Sequence, residues 1–196
     1  MSTINTLKQS TTKKPLPEIL KIDKNNFNIY KNFIKDCTQH YYIHTYSYHS
    51  PPVDYELESF FNWLQSDVLF IVKSGVRALG YVVLHSNETL QSEHISSSFF
   101  VHPNVCKLNS VTLSSTANIL ALYYAEINRA GSISTYYNHT LLFSDFINIF
   151  DSKIIKLQPS LFYFYTDLTK FTNKIDSVLQ SYYNPKDLLN YKNNLY

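Results

Sequence analysis

The sequence predicts an α/β (α+β) domain with a mixed, mostly antiparallel central sheet and helices on both faces. Its 196 residues fit one domain of ordinary size. Hydrophobic residues make up 44% and charged residues 16%, which excludes wholesale disorder because a disordered chain has the opposite balance. Strand patterns joined by short turns are followed by alternating strand and helix patterns, and this order favours a mixed sheet.

The first half of the chain predicts two helices and a three-strand meander. After a short strand over residues 17–22, apolar residues recur at the three-and-four spacing of an amphipathic helix: Phe27, Tyr30, Phe33, Ile34 and Cys37. Asp54 can cap a second, short helix that extends to Leu64. Strands are then predicted over 68–72, 79–84 and about 93–101, with turns near Gly75 and Ser86.

The second half predicts alternating helices and strands. The longest helix runs from Asn109 or Ser110 to Arg129, with Gly131 as its stop signal. The remaining elements are a strand over 132–137, a helix from 144 to about 155, a strand over 161–165 and a last helix around 175–182. Pro185 ends that last helix, and the rest of the chain has no firm helical pattern. That segment suits docking or a homodimer contact, with a frayed end as the simpler alternative.

Composition excludes several function classes. Only three glycines occur, so no Gly-rich phosphate loop of the Walker or dinucleotide-binding kind can be written. The net charge is +2 and only Arg77 and Arg129 are arginines, so we expect no nucleic-acid partner. Two isolated cysteines, Cys37 and Cys106, indicate a reducing compartment. Without a signal peptide or a membrane-length apolar run, we expect a cytoplasmic protein with no membrane partner. The abundance of Lys, Asn, Ile, Tyr and Phe beside scarce Arg, Gly and Ala indicates an AT-rich genome.

A short motif before the longest helix carries a family resemblance. Phe99-Phe100-Val101-His102-Pro103 resembles the fourth strand of the GNAT superfamily of N-acetyltransferases, which ends in Val-x-Pro before a loop and a long helix. The predicted order of elements is also that of the family. Residues 1–14 are polar and lack periodicity, which predicts a flexible leader. The resemblance implies a GNAT-like domain over 15–170, followed by a C-terminal helix and tail over 171–196. It further implies acetyl-CoA or another acyl-CoA as cofactor, and an amine acceptor that is a small molecule or a protein.

The resemblance also assigns the cofactor-binding residues. In the family, backbone N–H groups at the start of the long helix bind the pyrophosphate, and glycines let it approach closely. Both glycines of that motif are missing here, although Ser110 can cap the helix and add a hydroxyl donor. The implied cofactor-binding residues are Phe99, Phe100 and Val101 on the strand edge, Lys107, Leu108, Asn109, Ser110, Val111 and Thr112 at the helix start, and Asn138 after the fifth strand.

Catalytic and acceptor residues are assigned in the same way. Glu93 and His94 are the candidate general bases, and strand alternation sends them to opposite faces. The aromatic segment after the first helix would border the acceptor through Tyr41, Tyr42, Tyr46 and Tyr48. The alternative for Glu93 and His94 is that they are exposed residues at the start of a strand. The alternative for the tyrosines is that they pack a loop or a partner surface. The histidines of this segment lack the partners of a tetrahedral site, so we predict no metal.

Two functions from different classes remain open. The first is a CoA-dependent N-acyltransferase in which the acceptor amine attacks the thioester directly. The second is a catalytically inactive GNAT-like binding module, such as a viral accessory protein acting on a host partner, which the missing glycines motivate. Binding of acetyl-CoA discriminates between the two.

Overall fold

The computed structural model describes residues 13–46, 68–86, 94–104, 107–137, 149–158, 161–171 and 173–196. The strands are β1 (Glu18–Ile22), β2 (Val68–Ser74), β3 (Arg77–Ser86), β4 (His94–Val101), β5 (Ser132–Tyr137), β6 (Lys153–Gln158) and β7 (Leu161–Asp167). The helices are α1 (Phe27–Tyr46), α2 (Lys107–Asn128), α3 (Ile175–Tyr182) and α4 (Pro185–Leu195).

The strands form one seven-stranded sheet in the order β1-β2-β3-β4-β5-β7-β6. Every neighbouring pair is antiparallel except β4 and β5, which are parallel. The predicted mixed, mostly antiparallel sheet is therefore confirmed, including the meander of β2, β3 and β4.

Helices cover both faces of the sheet, as predicted. On one face α1 buries the side chains that its spacing marked, among them Phe27, Ile34 and Cys37, against β2 and β3. On the other face α2 packs across the sheet and is itself covered by α3 and α4. Because α2 lies between the sheet and the helices α3 and α4, it buries residues on every side. The apolar residues along one side of its sequence indicated only one buried face.

The ends of α2 differ from the prediction. The helix begins at Lys107 rather than at Asn109 or Ser110, so Ser110 lies in its first turn and is not its cap. It ends at Asn128, and Arg129 adopts the left-handed conformation with a φ of 56°. The Ala130 amide donates to the Ala125 carbonyl at 2.8 Å, which closes the helix. The helix is therefore terminated at Arg129, and the prediction that Gly131 terminates it was wrong.

The segment 153–155, predicted as the end of a helix, is instead the start of β6. This strand pairs with β7 along its length, from Lys153 opposite Tyr165 to Gln158 opposite Leu161. The adjacent pair Ile154-Ile155 favours a strand, because β-branched side chains fit a pleated surface better than a helix. The rest of that predicted helix before residue 149, and the second helix over 54–64, lie outside the described residues.

The C-terminal segment forms a second helix where a tail was predicted. α3 ends before Pro185 as expected, but Pro185 is also the first residue of α4. Asn184 caps this helix by accepting a hydrogen bond from the Lys186 amide at 3.0 Å. Proline suits this place because the first helical amide has no helical partner anyway. Leu188, Tyr191 and Leu195 bury one face of α4.

Two sets of contacts fix α4 to the rest of the fold. Near its start, the Leu16 amide donates to the Asp187 carboxylate at 3.0 Å, and Tyr191 Oη donates to the Pro17 carbonyl at 2.8 Å. Lys14, placed in the leader by the sequence, forms a bridge with Tyr183.

Near its end, Lys192 Nζ lies 3.0 Å from Glu126 of α2 and 2.9 Å from Asp176 of α3. Burial opposes the charge of Lys192, yet the two carboxylates outweigh it and hold the pKa above its usual value. Among the helices described, none is long and apolar enough to cross a membrane.

Candidate functional site

The parallel pair β4 and β5 parts halfway along β4. His94 to Ser98 pair with Ser132 to Tyr136. Beyond Ser98, β4 continues to Val101 and pairs with β3, while β5 continues to Tyr137 and pairs with β7. Within the described parts of these strands, nothing pairs with the β5 side of Phe99–Val101. As far as the described residues show, the sheet therefore presents a free strand edge at its centre, flanked by both parting strands.

The first turn of α2 follows this edge after a short connection. The His102 amide donates to the Leu79 carbonyl at 3.0 Å. The His102 ring stacks on the Phe33 ring, with centroids 5.0 Å apart. The Arg77 guanidinium donates to the Asn104 carbonyl. These contacts fix the direction in which the chain leaves β4. In a helix that begins at Lys107, the amides without a helical partner are those of residues 107–109.

That placement divides the predicted anion site, residues 107–112, into two halves. Val111 and Thr112 lie far enough into α2 for their amides to donate to carbonyls four residues back, so they are not free for a ligand. Ser110 is 9% exposed and lies next to the free turn. The helix N-terminus is still a site that favours negative charge, but its donors are the amides of residues 107–109.

Aromatic rings support the free edge from the α1 side. The Phe100 ring stacks on Tyr81 with centroids 4.4 Å apart and contacts Tyr41 at 4.8 Å. Thr38 Oγ donates to the Ile34 carbonyl, so the Tyr81 hydroxyl donates to Thr38 at 2.7 Å. Tyr41, a predicted acceptor residue, thus lies beside the predicted cofactor strand. It belongs to α1, which extends to Tyr46, so residues 41–46 of the aromatic segment predicted to follow the first helix are part of that helix.

His94, a candidate base, lies at the paired end of β4. Its Nδ1 is 2.8 Å from the Ser132 hydroxyl and its Nε2 is 2.8 Å from the Ser134 hydroxyl, both on β5. Tyr165 stacks on the ring at 6.2 Å. Burial lowers the pKa of His94 below its usual 6.5, which favours the neutral ring at pH 7. A neutral imidazole has one nitrogen that can accept a proton.

A buried polar network on the opposite face was missed by sequence reasoning. Thr135 of β5 donates its hydroxyl to Asn118 Oδ1 of α2 at 2.7 Å, and Ser97 of β4 lies 2.7 Å from the same Thr135 hydroxyl. All three residues are at most 1% exposed. A signal was present: Asn118 interrupts the apolar stretch between Ala117 and Ala121 of the longest predicted helix.

Several predicted site residues receive no side-chain description. Glu93, Tyr48 and Asn138 lie outside the described residues. The structure gives only the backbone of five others, as helix, namely Tyr42, Tyr46, Lys107, Leu108 and Asn109. Among the side chains that are described, no group of three His, Cys, Asp or Glu could hold a metal. Cys37 is buried, and burial raises the pKa of its thiol, so it is unreactive.

Two cavities near the start of α2 do not belong to the parted strands. Their volumes are about 180 and 330 Å³, and both are lined by Pro15, Leu16, Pro17 and Thr112. Neither is lined by a residue of β4 or β5. They lie on the β1 side of α2, whereas the free edge of β4 faces β5.

Comparisons with solved structures identify the fold. Apo FdhC, described as a nucleotide-linked sugar GNAT, has a TM-score of 0.53 at 14% identity, covering 84% of this chain and 94% of its own. The putative acetyltransferase yncA from Salmonella typhimurium, solved with its cofactor acetyl-CoA, has a TM-score of 0.51 at 15% identity, covering 78% and 94%. A variant of the spermidine N-acetyltransferase SpeG from Vibrio cholerae has a TM-score of 0.51 at 15% identity, covering 80% and 96%.

The chain therefore has the GNAT fold that its sequence predicted. No protein-family model matches the sequence, and no curated protein matches it. At these identities the likeness shows the architecture, and function must be argued from the site itself.

Proposed function

We propose that this protein is an N-acyltransferase that transfers an acetyl or other acyl group from CoA to a primary amine. The observation that carries the proposal is the parting of β4 and β5 directly before the N-terminus of α2. A free strand edge offers main-chain donors and acceptors to an amide-containing arm, and the helix start offers donors to a diphosphate. A ligand that contains both groups in sequence fits this pair of features.

The chain itself would bind acyl-CoA with two sets of main-chain groups. Phe99–Val101 would pair with the amides of the pantetheine arm, and the amides of residues 107–109 would bind the diphosphate. These are backbone groups, so the missing glycines do not remove them, although side chains limit how closely phosphate approaches. Bound acyl-CoA supplies a thioester carbonyl that an amine can attack. The free edge and the helix start thus fit the cofactor without a Gly-rich loop.

A base must take a proton from the ammonium of the acceptor. His94 is suited to this because burial lowers its pKa and favours the neutral ring at pH 7. Each ring nitrogen lies 2.8 Å from a serine hydroxyl, so the proton would reach the accepting nitrogen through the serine bonded to it, while the other serine accepts the ring N–H and fixes the tautomer. Glu93 remains the second candidate base, and it lies outside the described residues.

The acceptor would lie on the α1 side of the sheet, where His94 and Tyr41 both lie. Aromatic rings such as Tyr41 can pack against the apolar part of an amine or attract its charge. The structural neighbours act on different amines, since one is described as a nucleotide-linked sugar GNAT and another as a spermidine N-acetyltransferase. We therefore propose a small-molecule primary amine as the acceptor class, and a cytoplasmic location stays a prediction.

Binding of acetyl-CoA by the full chain tests this function. At a ligand concentration about a hundredfold above Kd, the folded state gains about 2.7 kcal/mol, which raises Tm by several degrees. ATP is the matched control, because it has the adenosine and the phosphates but no arm to pair with Phe99–Val101. We expect a larger shift with acetyl-CoA than with ATP, and binding heat in calorimetry.

A chain that shows neither shift nor heat with acetyl-CoA is not an acyltransferase, and the binding-module alternative then takes its place. If the shifts with acetyl-CoA and ATP are equal, the strand edge takes no part in binding.

A further inference from the structure

The buried network of Ser97, Thr135 and Asn118 lies directly behind the point where β4 and β5 part. Ser97 and Thr135 face each other across the two strands, and only the pair Ser98 and Tyr136 follows before the pairing stops. The network lies on the α2 face, whereas His94 and its two serines lie on the α1 face. It is therefore separate from the candidate base.

The direction of each hydrogen bond follows from the number of protons. A threonine hydroxyl has one proton, and Thr135 donates it to Asn118 Oδ1 at 2.7 Å. The contact of 2.7 Å between Ser97 and Thr135 must then be donated by Ser97, which shares its single proton between Thr135 and the more distant Ser134 carbonyl at 3.3 Å. The network is thus a directed chain from β4 through β5 to α2.

We propose that Thr135 is a positioning residue for the cofactor, acting through Ser97 and Asn118 to fix α2 relative to the parted strands. The inference rests on the proposed function. Asn118 is eight residues along α2 from Ser110, so about 12 Å of continuous helix connects the network to the turn that would bind the diphosphate. In the other direction, Phe99 is two residues beyond Ser97 on β4. One buried hydroxyl therefore links both parts of the cofactor site.

The chemistry of the network supports a positioning role over simple packing. Valine matches the shape of threonine, so filling space does not require a hydroxyl at 135. A buried hydroxyl is costly unless it is bonded, and its bonds hold only a narrow range of distances and angles. Fully bonded polar groups in a core therefore specify one arrangement of the elements they join. Here those elements are the two parting strands and the helix beside them.

The test compares three single substitutions in the full chain. Thr135→Val removes the hydroxyl and keeps the shape, whereas Thr135→Ser keeps the hydroxyl and loses a methyl group. Thr166→Val is the matched control, because Thr166 of β7 is also 1% exposed and loses a hydroxyl contact of 2.7 Å, to Ser152. Thr166 pairs with Ile133, near the start of β5 and away from the parting. Stability to urea and the Kd for acetyl-CoA are measured for each variant.

We expect both variants to lose stability, and Thr135→Val to lose more, since it loses two buried bonds whereas Thr166→Val loses one part-buried bond. Only Thr135→Val should weaken acetyl-CoA binding, by about fivefold or more, because a preorganised site loses affinity when its parts can shift. Thr135→Ser should bind within about twofold of the wild type. If an activity assay is established, KM for acetyl-CoA should rise more than kcat falls.

Equal Kd values for Thr135→Val and Thr166→Val, with normal binding by the wild type, overturn this inference and leave the proposed function intact. Absence of binding by the wild type overturns both. If Thr135→Val does not fold, Ser97→Ala replaces it, because it leaves the bond between Thr135 and Asn118 in place. Failure of Ser97→Ala to weaken binding more than Thr166→Val then overturns the inference.

Discussion

The two halves of β4 are held by different forces. The first half, His94 to Ser98, pairs with β5 throughout and with β3 from Ile95 onward, and it is joined to β5 by side-chain hydroxyls on both faces. The second half, Phe99 to Val101, pairs only with β3 and is supported from the α1 side by aromatic rings. One strand thus changes from polar and closed to apolar and open within a single residue.

This difference indicates how a strand can leave one edge unpaired in the middle of a sheet. The hydroxyl contacts stop where the pairing stops, so the closed half needs directional bonds to both partners. Among the described residues, the open half has no such bonds to β5 and is held in place by β3, by α1 and by the apolar core on the α2 face, which contains Phe99. Variants that weaken only one half should therefore separate stability from ligand binding.

The largest effect is expected at Gly80, which pairs with Val101 in the open half. A Cβ at this position would collide with the carbonyl oxygen of Phe100 and lie 2.9 Å from Leu113 Cδ1. Because the first obstacle is backbone, β3 and β4 must move apart. We expect Gly80→Ala to lower the free energy of unfolding by about 3 kcal/mol in urea titration. It should also abolish acetyl-CoA binding.

Gly75 provides the control for that substitution. Gly75 has a positive φ of 58°, and a Cβ there meets nothing within 4 Å. Gly75→Ala should therefore cost about 1 kcal/mol from backbone conformation alone. If the two alanine variants lose equal stability, the close approach of β3 and β4 is not what Gly80 provides.

An intermediate effect is expected at Phe100, whose ring supports the open half. Phe100→Leu keeps an apolar side chain but loses the stacked contact with Tyr81 and the tilted contact with Tyr41. The loss should be about 1 kcal/mol in urea titration, with weaker acetyl-CoA binding. Phe171→Leu loses a ring contact of 5.0 Å with Phe150, away from β4, and should lower stability without changing binding. Equal binding by both variants would contradict a role of this ring in supporting the edge.

The smallest effect concerns the closed half and its dependence on pH. Burial lowers the pKa of His94 in the folded state, whereas the unfolded chain returns it to about 6.5. Below that value the unfolded state binds a proton that the folded state does not, so stability falls as the solution is acidified. Stability measured in urea should drop as the pH falls through about 6.5. The slope should be shallower in His94→Gln, and an unchanged slope would assign the acid sensitivity to other groups.

Local patterns in the sequence predicted most of the fold. The spacing of Phe27, Ile34 and Cys37 predicted α1, and the turn at Gly75 predicted the hairpin of β2 and β3. The predictions that failed were those that depend on the tertiary surroundings of a residue. Pro185 was taken as a stop signal, yet the same residue ends one helix and begins the next, and only burial of Leu188 reveals the second.

The site was predicted less completely because its geometry comes from pairing between distant strands. The sequence identified Phe99–Val101 and the start of α2, since both carry a motif that is continuous along the chain. It did not identify Thr135 with Ser97 and Asn118, because these residues meet only after β4, β5 and α2 pack. Nor could it show that His94 bonds two serines of another strand.

The contacts between the segment before β1 and α4 have a consequence for synthesis of the chain. Leu16 bonds Asp187 across 171 residues, and Pro17 bonds Tyr191 across 174. While the ribosome is still making the protein, the approach to β1 emerges early but must wait for its partners until α4 has left the exit tunnel. Shortening or nicking α4 would therefore loosen the opposite end of the polypeptide, far away in sequence from the damage.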